Sequence, residues 1–142
     1  MRSWYFPFEG KRDADRIDAL WTVFAEGVRF ADSDDSASQD AFAAAFDDVN
    51  RRPQAGGNLT FGLYWISPWF YLSLDRNSYD NITSKLRVPV GRHGPKRRCN
   101  AADYLALMDA LEPRLRKGHT RFTRILNCRW RRGYTRIQQR NR

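Results

Sequence analysis

Two groups of basic side chains in this 142-residue sequence have the composition of a phosphate-binding surface. One is a run of three cations, Lys96, Arg97 and Arg98, in a loop that glycines and a proline interrupt. The other lies near the C-terminus, where arginines alternate with aromatic residues. Guanidinium groups pair with phosphate oxygens, and rings between them can stack on exposed bases. The predicted nucleic-acid-binding residues, with duplex DNA as the expected partner, are Lys96, Arg97, Arg98, Arg129, Trp130, Arg131, Arg132 and Arg136.

Charge is divided unevenly along the chain. Residues 1–50 carry 5 Lys/Arg and 11 Asp/Glu, residues 51–113 carry 9 and 5, and residues 114–142 carry 11 and 0. The basic character therefore belongs to the C-terminal block. Such a block either meets polyanions or serves as a solvated, protein-binding arm, and both interpretations stay open. The alternative to DNA binding is a protein-interaction or scaffold domain that binds no nucleic acid.

The sequence contains no pattern typical of catalysis, of a cofactor or of a metal site. The stretch from Gly91 to Arg98 lacks the Gly-x-x-x-x-Gly-Lys-Ser/Thr spacing with which a nucleotide-binding loop encloses phosphates. Four potential zinc ligands are irregularly spaced and include no Cys-x-x-Cys pair; they are His93, Cys99, His119 and Cys128. We therefore predict a protein that is not an enzyme and that needs neither cofactor nor metal.

Apolar residues at helical spacing predict three helices around a core. The first covers residues 14–29, with its apolar stripe at Ile17, Leu20, Trp21, Phe24 and Val28. The second covers residues 37–50, and the third begins after a capping asparagine, Asn100. A shorter helix through residue 86 is expected after Asp75.

An aromatic stretch between the second and third of these helices alternates like a strand. From residue 59 to 66 the odd positions are all apolar, namely Leu59, Phe61, Leu63 and Trp65. Such alternation is typical of a strand with one buried face. Pro68 marks a bend, after which residues 70–74 continue in the opposite phase. The expected fold class is α+β, a small aromatic-rich antiparallel β-core with about four helices and a basic C-terminal tail.

The same stretch carries a resemblance to a known family. The sequence Leu-Thr-Phe-Gly-Leu-Tyr-Trp-Ile-Ser-Pro of residues 59–68, followed by Phe-Tyr-Leu-Ser-Leu-Asp at 70–75, resembles a segment of McrB-like proteins. Those proteins are the AAA+ GTPase subunits of modification-dependent restriction systems, and the segment precedes their AAA+ module. The resemblance implies an accessory domain of a restriction, or phage-defence, system. It also implies an AAA+ or nuclease subunit encoded nearby as a possible partner.

Two segments are expected in this chain. Residues 1–117 form the α+β accessory domain, and residues 118–142 form an arginine-rich tail. Because the tail has no acidic residue to offset repulsion between its arginines, we expect it to be partly ordered at best without a partner. Two cysteines are too few for a disulfide framework and suit a reducing cytoplasm. No run of 18 apolar residues is present that could span a membrane.

Overall fold

The computed structural model describes residues 14–33, 35–52, 56–68 and 70–116. The helices within these ranges are α1 (Arg16–Ser33), α2 (Ser36–Arg51), α3 (Gly56–Ile66), α4 (Arg76–Asp80) and α5 (Ala101–Arg116). A π-helical turn at Asn81–Lys85 continues α4, and a 3-10 turn at Pro95–Arg97 precedes α5. The described part of the chain contains no β-strand, so the predicted α+β fold with an antiparallel β-core is wrong.

Helices α1 and α2 form an antiparallel hairpin, which we define as residues 14–52. Asp35 caps α2, since its carboxylate accepts a hydrogen bond from the Ser38 amide at 2.8 Å. At the open end of the hairpin, the Arg52 guanidinium bridges Asp15 at 2.9 Å and Asp48 at 2.8 Å. This fork joins the start of α1 to the end of α2, and both helices were predicted from their apolar periodicity.

Helix α1 buries a different face from the one that its apolar stripe predicts. The buried positions include Leu20, Val23 and Gly27, whereas Trp21 is 68% exposed. The cause is the close approach of neighbouring elements at Gly27. A Cβ there would lie 3.0 Å from the Leu63 side chain, and the Tyr71 hydroxyl donates to the Gly27 carbonyl at 2.7 Å. The packed face is therefore centred on the glycine.

The aromatic stretch that predicted a strand forms helix α3. Leu59 and Leu63 are both buried, and their separation of four residues fits a helical face as well as a strand face. Trp65, which the strand interpretation places in the core, is instead 69% exposed and packs edge-to-face on Phe61. The sequence alternation was compatible with both periods, and packing against α1 and α2 selects the helix.

Residues 70–75, the second predicted strand, have no regular secondary structure beyond a turn at residue 70, and backbone groups of Leu72 and Leu74 bond to side chains instead of a sheet. The Tyr104 hydroxyl accepts from the Leu72 amide at 2.9 Å and donates to the Leu72 carbonyl at 2.6 Å. The Leu74 amide donates to the Thr60 hydroxyl at 3.1 Å. Buried backbone groups need such partners, and here side chains provide what a neighbouring strand would otherwise supply.

The core combines aliphatic side chains with aromatic rings, and the rings come from α1, α2, α5 and residues 70–71. Tyr104 stacks on Phe46 with ring centroids 5.4 Å apart, and Tyr71 lies against Phe42 at 5.3 Å. A second apolar cluster joins α5 to the segment that follows α4; its buried members are Leu72, Ile82, Val88, Leu107 and Leu111. Val88 of this second cluster lies in the stretch between α4 and α5 that carries several basic residues.

Candidate nucleic-acid interface

The described residues contain one dense group of cations, in the stretch from residue 85 to residue 98, which we call the basic segment. It carries six Lys/Arg and no Asp/Glu, so its formal charge is +6. Its cations are Lys85, Arg87, Arg92, Lys96, Arg97 and Arg98. The segment runs from the end of the π-helical turn to the start of α5, and Val88 anchors it in the second apolar cluster.

A buried carboxylate from α5 fixes the path of the basic segment. Asp103 accepts from the His93 amide at 2.8 Å and from the Asn100 amide at 3.2 Å. The Asn100 side chain accepts in turn from the Asp103 amide at 2.8 Å, which completes a reciprocal cap at the start of α5. The predicted cap at Asn100 is confirmed. Because the same carboxylate also holds His93, the helix start and the loop are ordered together.

Two glycines allow this close approach of backbone to side chain. A Cβ on Gly91 would lie 2.1 Å from the Asp103 carboxylate oxygen, and one on Gly94 would lie 2.8 Å from the Arg98 carbonyl. Real Cβ atoms do not come so close to other heavy atoms. The basic segment is therefore a tightly built turn, in which Gly94 and Arg98 are also joined by a backbone hydrogen bond of 2.9 Å.

Arg98 has a structural role in this arrangement. Its guanidinium donates to the carbonyls of Asn50 and Arg52, at 3.2 and 3.3 Å, where α2 leaves carbonyls without helical partners. The Asn50 amide group donates to the Cys99 carbonyl at 2.8 Å, which ties the same two elements together. Arg98 is half-buried, whereas Lys96 and Arg97 are exposed. Its guanidinium therefore attaches the basic segment to the hairpin and is less accessible to solvent than those two side chains.

Three of the cations that face solvent have unusual backbone conformations. Three non-glycine residues of the described chain have positive φ, namely Arg87 at 52°, Lys96 at 55° and Arg97 at 56°. All three are exposed cations of the basic segment. No hydrogen bond or ion pair of their side chains is found within the described ranges. A left-handed conformation costs an L-residue about 1–2 kcal/mol, and such strain is concentrated at functional sites.

Two further polar side chains of the basic segment are held in place. Arg92 donates to the Tyr79 hydroxyl at 2.6 Å, and its guanidinium lies 5.1 Å from the centre of the Tyr79 ring. The His93 ring nitrogen Nδ1 lies 2.5 Å from an Asp103 oxygen. Hydrogen bonding to this carboxylate raises the pKa of His93. Burial raises the pKa of Asp103, but the hydrogen bonds from His93 and Asn100 outweigh it, so the net pKa is lowered.

The structure locates three of the eight predicted binding residues. Lys96 and Arg97 are exposed on the 3-10 turn, and Arg98 is the half-buried anchor. The other five lie outside the described residues, as does the arginine-rich tail itself; they are Arg129, Trp130, Arg131, Arg132 and Arg136. Sequence reasoning missed Lys85, Arg87, Arg92 and His93. The absence of any acid from residue 85 to residue 98 was the signal that could have found them.

Other chemistry in the described residues is limited. No group of three or more His, Cys, Asp or Glu side chains that could hold a metal ion occurs there. Burial raises the pKa of the Cys99 thiol to about 12, which leaves little nucleophilic thiolate at neutral pH. An open depression of about 390 Å³ lies on the hairpin, remote from the basic segment in sequence, and four of its seven lining residues are alanines. Among the described helices, none is long and apolar enough to cross a membrane.

Comparison with known proteins gives one match. The family described as Domain of unknown function (DUF8425) matches residues 1–130. The chain belongs to this family. The DUF8425 match includes every described element, the basic segment, and Arg129 and Trp130 of the predicted site, whereas Arg131, Arg132 and Arg136 follow its end. No curated protein and no solved structure matches the chain.

Proposed function

We propose that this DUF8425 domain is a non-catalytic nucleic-acid-binding protein, with duplex DNA as its ligand. The observation that carries the proposal is the basic segment, where six cations occur without a carboxylate on a turn that Asp103 fixes. A duplex carries one phosphate charge for about every 1.7 Å of its axis, so several cations on one short turn can meet neighbouring phosphates. The contacts would go to phosphates and would not select a sequence.

The rigidity of the basic segment supports the same proposal. In the basic segment two glycines pack against carbonyl and carboxylate groups, and three cations have positive φ. A run of charged residues that is merely solvated requires neither feature. Pre-ordered cations lose less conformational entropy on binding than cations on a flexible arm. The arginines near the C-terminus would add to the electrostatic attraction, and Trp130 offers a ring for stacking on exposed bases.

The test compares two double variants of the full-length protein that remove equal charge. Lys96→Gln with Arg97→Gln neutralises the exposed turn, whereas Arg29→Gln with Arg51→Gln neutralises two exposed arginines of the hairpin. Duplex affinity would be measured by fluorescence anisotropy between about 50 and 200 mM salt. Loss of two phosphate contacts flattens the slope of log affinity against log salt by about 1.8, since each contact contributes about 0.9.

We expect the flattened slope and weaker binding only in the variant of the turn. Equal losses in both variants would mean that net charge alone attracts DNA. Failure of the unmodified protein to bind duplex at about 50 mM salt would rule out the proposal. A third full-length variant, with Arg129, Arg131, Arg132 and Arg136 changed to Gln, measures the share contributed by the C-terminal arginines.

We further propose the biological setting that the aromatic motif of residues 59–75 implies. It is an accessory role in a McrB-like restriction, or phage-defence, system of the cytoplasm, beside an AAA+ or nuclease subunit. The support is the motif itself, together with a cysteine content that suits a reducing compartment. Neighbouring reading frames test the setting: AAA+ or nuclease genes should recur beside members of this family. Genes without that association would remove the support.

A second function is favoured by one specific observation, the exposure of two tryptophans. Trp21 on α1 is 68% exposed and Trp65 on α3 is 69% exposed. Tryptophan is enriched at the energetic centres of protein interfaces. On this alternative the domain is a protein-interaction or scaffold module. Sedimentation of the unmodified protein and of a Trp21→Ser, Trp65→Ser variant tests its simplest form, self-association. A concentration-dependent dimer that the variant loses would favour it, and a monomer at all concentrations would reject self-association.

A further inference from the structure

His93 is the ionisable side chain of the basic segment whose charge can change near neutral pH. Its side chain is 82% exposed, whereas the side chain of its partner Asp103 is 7% exposed. The contact of 2.5 Å is made by Nδ1, so the imidazole is oriented by a buried carboxylate on one side and open to solvent on the other. The second ring nitrogen, Nε2, has no hydrogen-bond partner among the described residues.

The Asp103 carboxylate determines which ring nitrogen carries the proton. Its pKa is lowered in total, so it is ionised at neutral pH and must accept a hydrogen bond from Nδ1–H. In the neutral imidazole Nε2 is then an acceptor, which repels a phosphate oxygen. In the imidazolium Nε2–H becomes a charged donor, which binds one. One proton therefore changes the outward-facing atom from unfavourable to favourable for an anion.

The charged groups near His93 come from two elements, α5 and the basic segment. From α5 there is Asp103, whose charge stabilises the imidazolium. From the basic segment itself there are the neighbouring Arg92, which Tyr79 of α4 holds, and the cations Lys96 and Arg97 on the following turn. The Cys99 thiol stays neutral because its pKa is about 12. The charged neighbours of His93 are thus one buried anion bonded to the ring and, in the adjacent sequence, several cations without an acid.

We propose that the Nε2 of His93 is a phosphate contact that operates only when the imidazole is protonated, so that nucleic-acid affinity falls as pH rises through neutrality. The inference rests on the proposed nucleic-acid binding and adds a named, proton-dependent contact to it. Binding then takes up a proton at His93. By reciprocity the bound phosphate raises the affinity of His93 for its proton as much as the proton raises the affinity for phosphate.

The sign and the size of the effect follow from that coupling. Asp103 raises the pKa of His93 above its ordinary value of about 6.5, so part of the population is protonated near pH 7 before any ligand binds. A bound polyanion raises it further. Uptake of one proton changes affinity by at most tenfold per pH unit, because the dependence of log affinity on pH equals the number of protons taken up.

The alternative is that His93 only completes the hydrogen bonding of Asp103. A structural histidine of that kind has a raised pKa in the free protein, but nucleic acid does not shift it. Direct measurement of the His93 pKa by NMR, from the ring Hε1 resonance with and without a short DNA duplex, distinguishes the two. We expect the pKa of His93 to be higher in the complex with DNA than in the free protein. An equal pKa in the free and bound protein would overturn the inference.

The binding experiment uses the two histidines of the chain as a matched pair. Duplex affinity of the full-length protein is measured from about pH 6 to 8.5 at constant ionic strength, with His93→Gln and His119→Gln as variants. We expect the unmodified protein and the His119→Gln variant to lose affinity as pH rises. The His93→Gln variant should bind at pH 6 with about the affinity that the unmodified protein has at the alkaline end.

The outcomes separate the two proposals. Binding that falls with salt but not with pH, or whose pH dependence is as large in the His93→Gln variant as in the unmodified protein, overturns the role of His93 and leaves the proposed function intact. A pH dependence that is lost in the His119→Gln variant also overturns it. Absence of duplex binding at any pH overturns both. The α-amino group and Cys128 can titrate at the alkaline end, and their contribution would persist in the His93→Gln variant.

Discussion

The hairpin and the basic segment use their charged residues in opposite ways. Residues 14–52 carry nine Asp/Glu and four Lys/Arg, and among them are the Asp35 cap of α2 and ion pairs such as those of Arg52 with Asp15 and Asp48. The basic segment carries six cations and no acid, and three of them are exposed at positive φ. The charges of the hairpin are thus used within the fold, whereas most of those on the basic segment face outward.

This difference in the use of charge reflects a difference in how the two regions are stabilised. The hairpin is stabilised mainly by apolar burial along two regular helices, and its exposed ion pairs add little to that stability. The basic segment is irregular, and its shape depends on hydrogen bonds to one buried carboxylate, Asp103, and on two glycines. A region ordered in this way leaves three cations, Arg87, Lys96 and Arg97, exposed for contact with an external anion. Substitutions should affect the two regions by different mechanisms.

The largest expected effect is the loss of a core ring from the hairpin. Phe42 is fully buried, so Phe42→Ala should lower the free energy of unfolding by about 3–5 kcal/mol, the usual cost of removing a buried ring. Trp65→Ala is the matched control, because it removes a larger ring that is 69% exposed. It should cost about 1 kcal/mol or less. Urea unfolding monitored by circular dichroism measures both, and an equal cost for the two would restore Trp65 to the core.

The second effect tests whether Asp103 orders the basic segment. Gly91→Ala places a Cβ 2.1 Å from the Asp103 carboxylate oxygen, so this buried carboxylate must move and lose its hydrogen bonds from the His93 and Asn100 amides. We expect a loss of about 1–3 kcal/mol in the free energy of unfolding, the cost of leaving a buried polar group without a partner. Pro89→Ala, at an exposed position of the same segment, is the control and should cost about 1 kcal/mol or less. Equal midpoints for the two variants would contradict the tight turn.

The third effect is a gain in stability on substitution by glycine in the basic segment, where the same substitution in a helix should cause a loss. Lys96→Gly and Arg97→Gly relieve positive φ, and each should raise the free energy of unfolding by up to about 1 kcal/mol. The same change at exposed Ala102 of α5 should lower it by about 1 kcal/mol. Thermal unfolding of the three variants checks the opposite signs. A loss of stability at positions 96 and 97 would mean that these residues are not strained.

The smallest effect concerns pH and the His93–Asp103 pair. His93 has a raised pKa, so its stabilisation is complete below the unfolded value of about 6.5 and is lost as pH rises through the folded value. Asp103 has a lowered pKa, so its stabilisation is present above about 3.9 and is lost as pH falls through the folded value. The pair therefore stabilises the fold most between about pH 4 and 6.5.

The measurement is the melting temperature of the unmodified protein and of His93→Gln at pH 5 and pH 8.5. We expect the variant to melt below the unmodified protein at pH 5, and the difference to shrink at pH 8.5. His119→Gln is the control for histidine removal in general. A difference of the same size at both pH values would show that His93 acts through packing alone.

Several elements could be predicted from sequence because their signals are local. Apolar spacing of 3.6 residues predicted α2 and the helix after Asn100, which is α5 and buries Tyr104, Leu107, Met108 and Leu111 on one face. The caps at Asp75 and Asn100 follow from side chains that accept from amides three residues later. The accumulation of cations before α5 is likewise a property of the linear sequence. Each signal requires only residues within about one or two helical turns.

Tertiary structure alone decided the conformation of residues 59–66, the buried face of α1 and the site around Asp103. Leu59 and Leu63 satisfy strand and helix periods equally, and the choice depends on what packs against them. Gly27, with no side chain, determines the packed face of α1 because Leu63 and Tyr71 can approach it closely. His93 and Asp103 are ten residues apart and meet only because the segment folds back on α5. Local patterns encode periodicity and charge, whereas close contacts between distant residues depend on the packing of the whole chain.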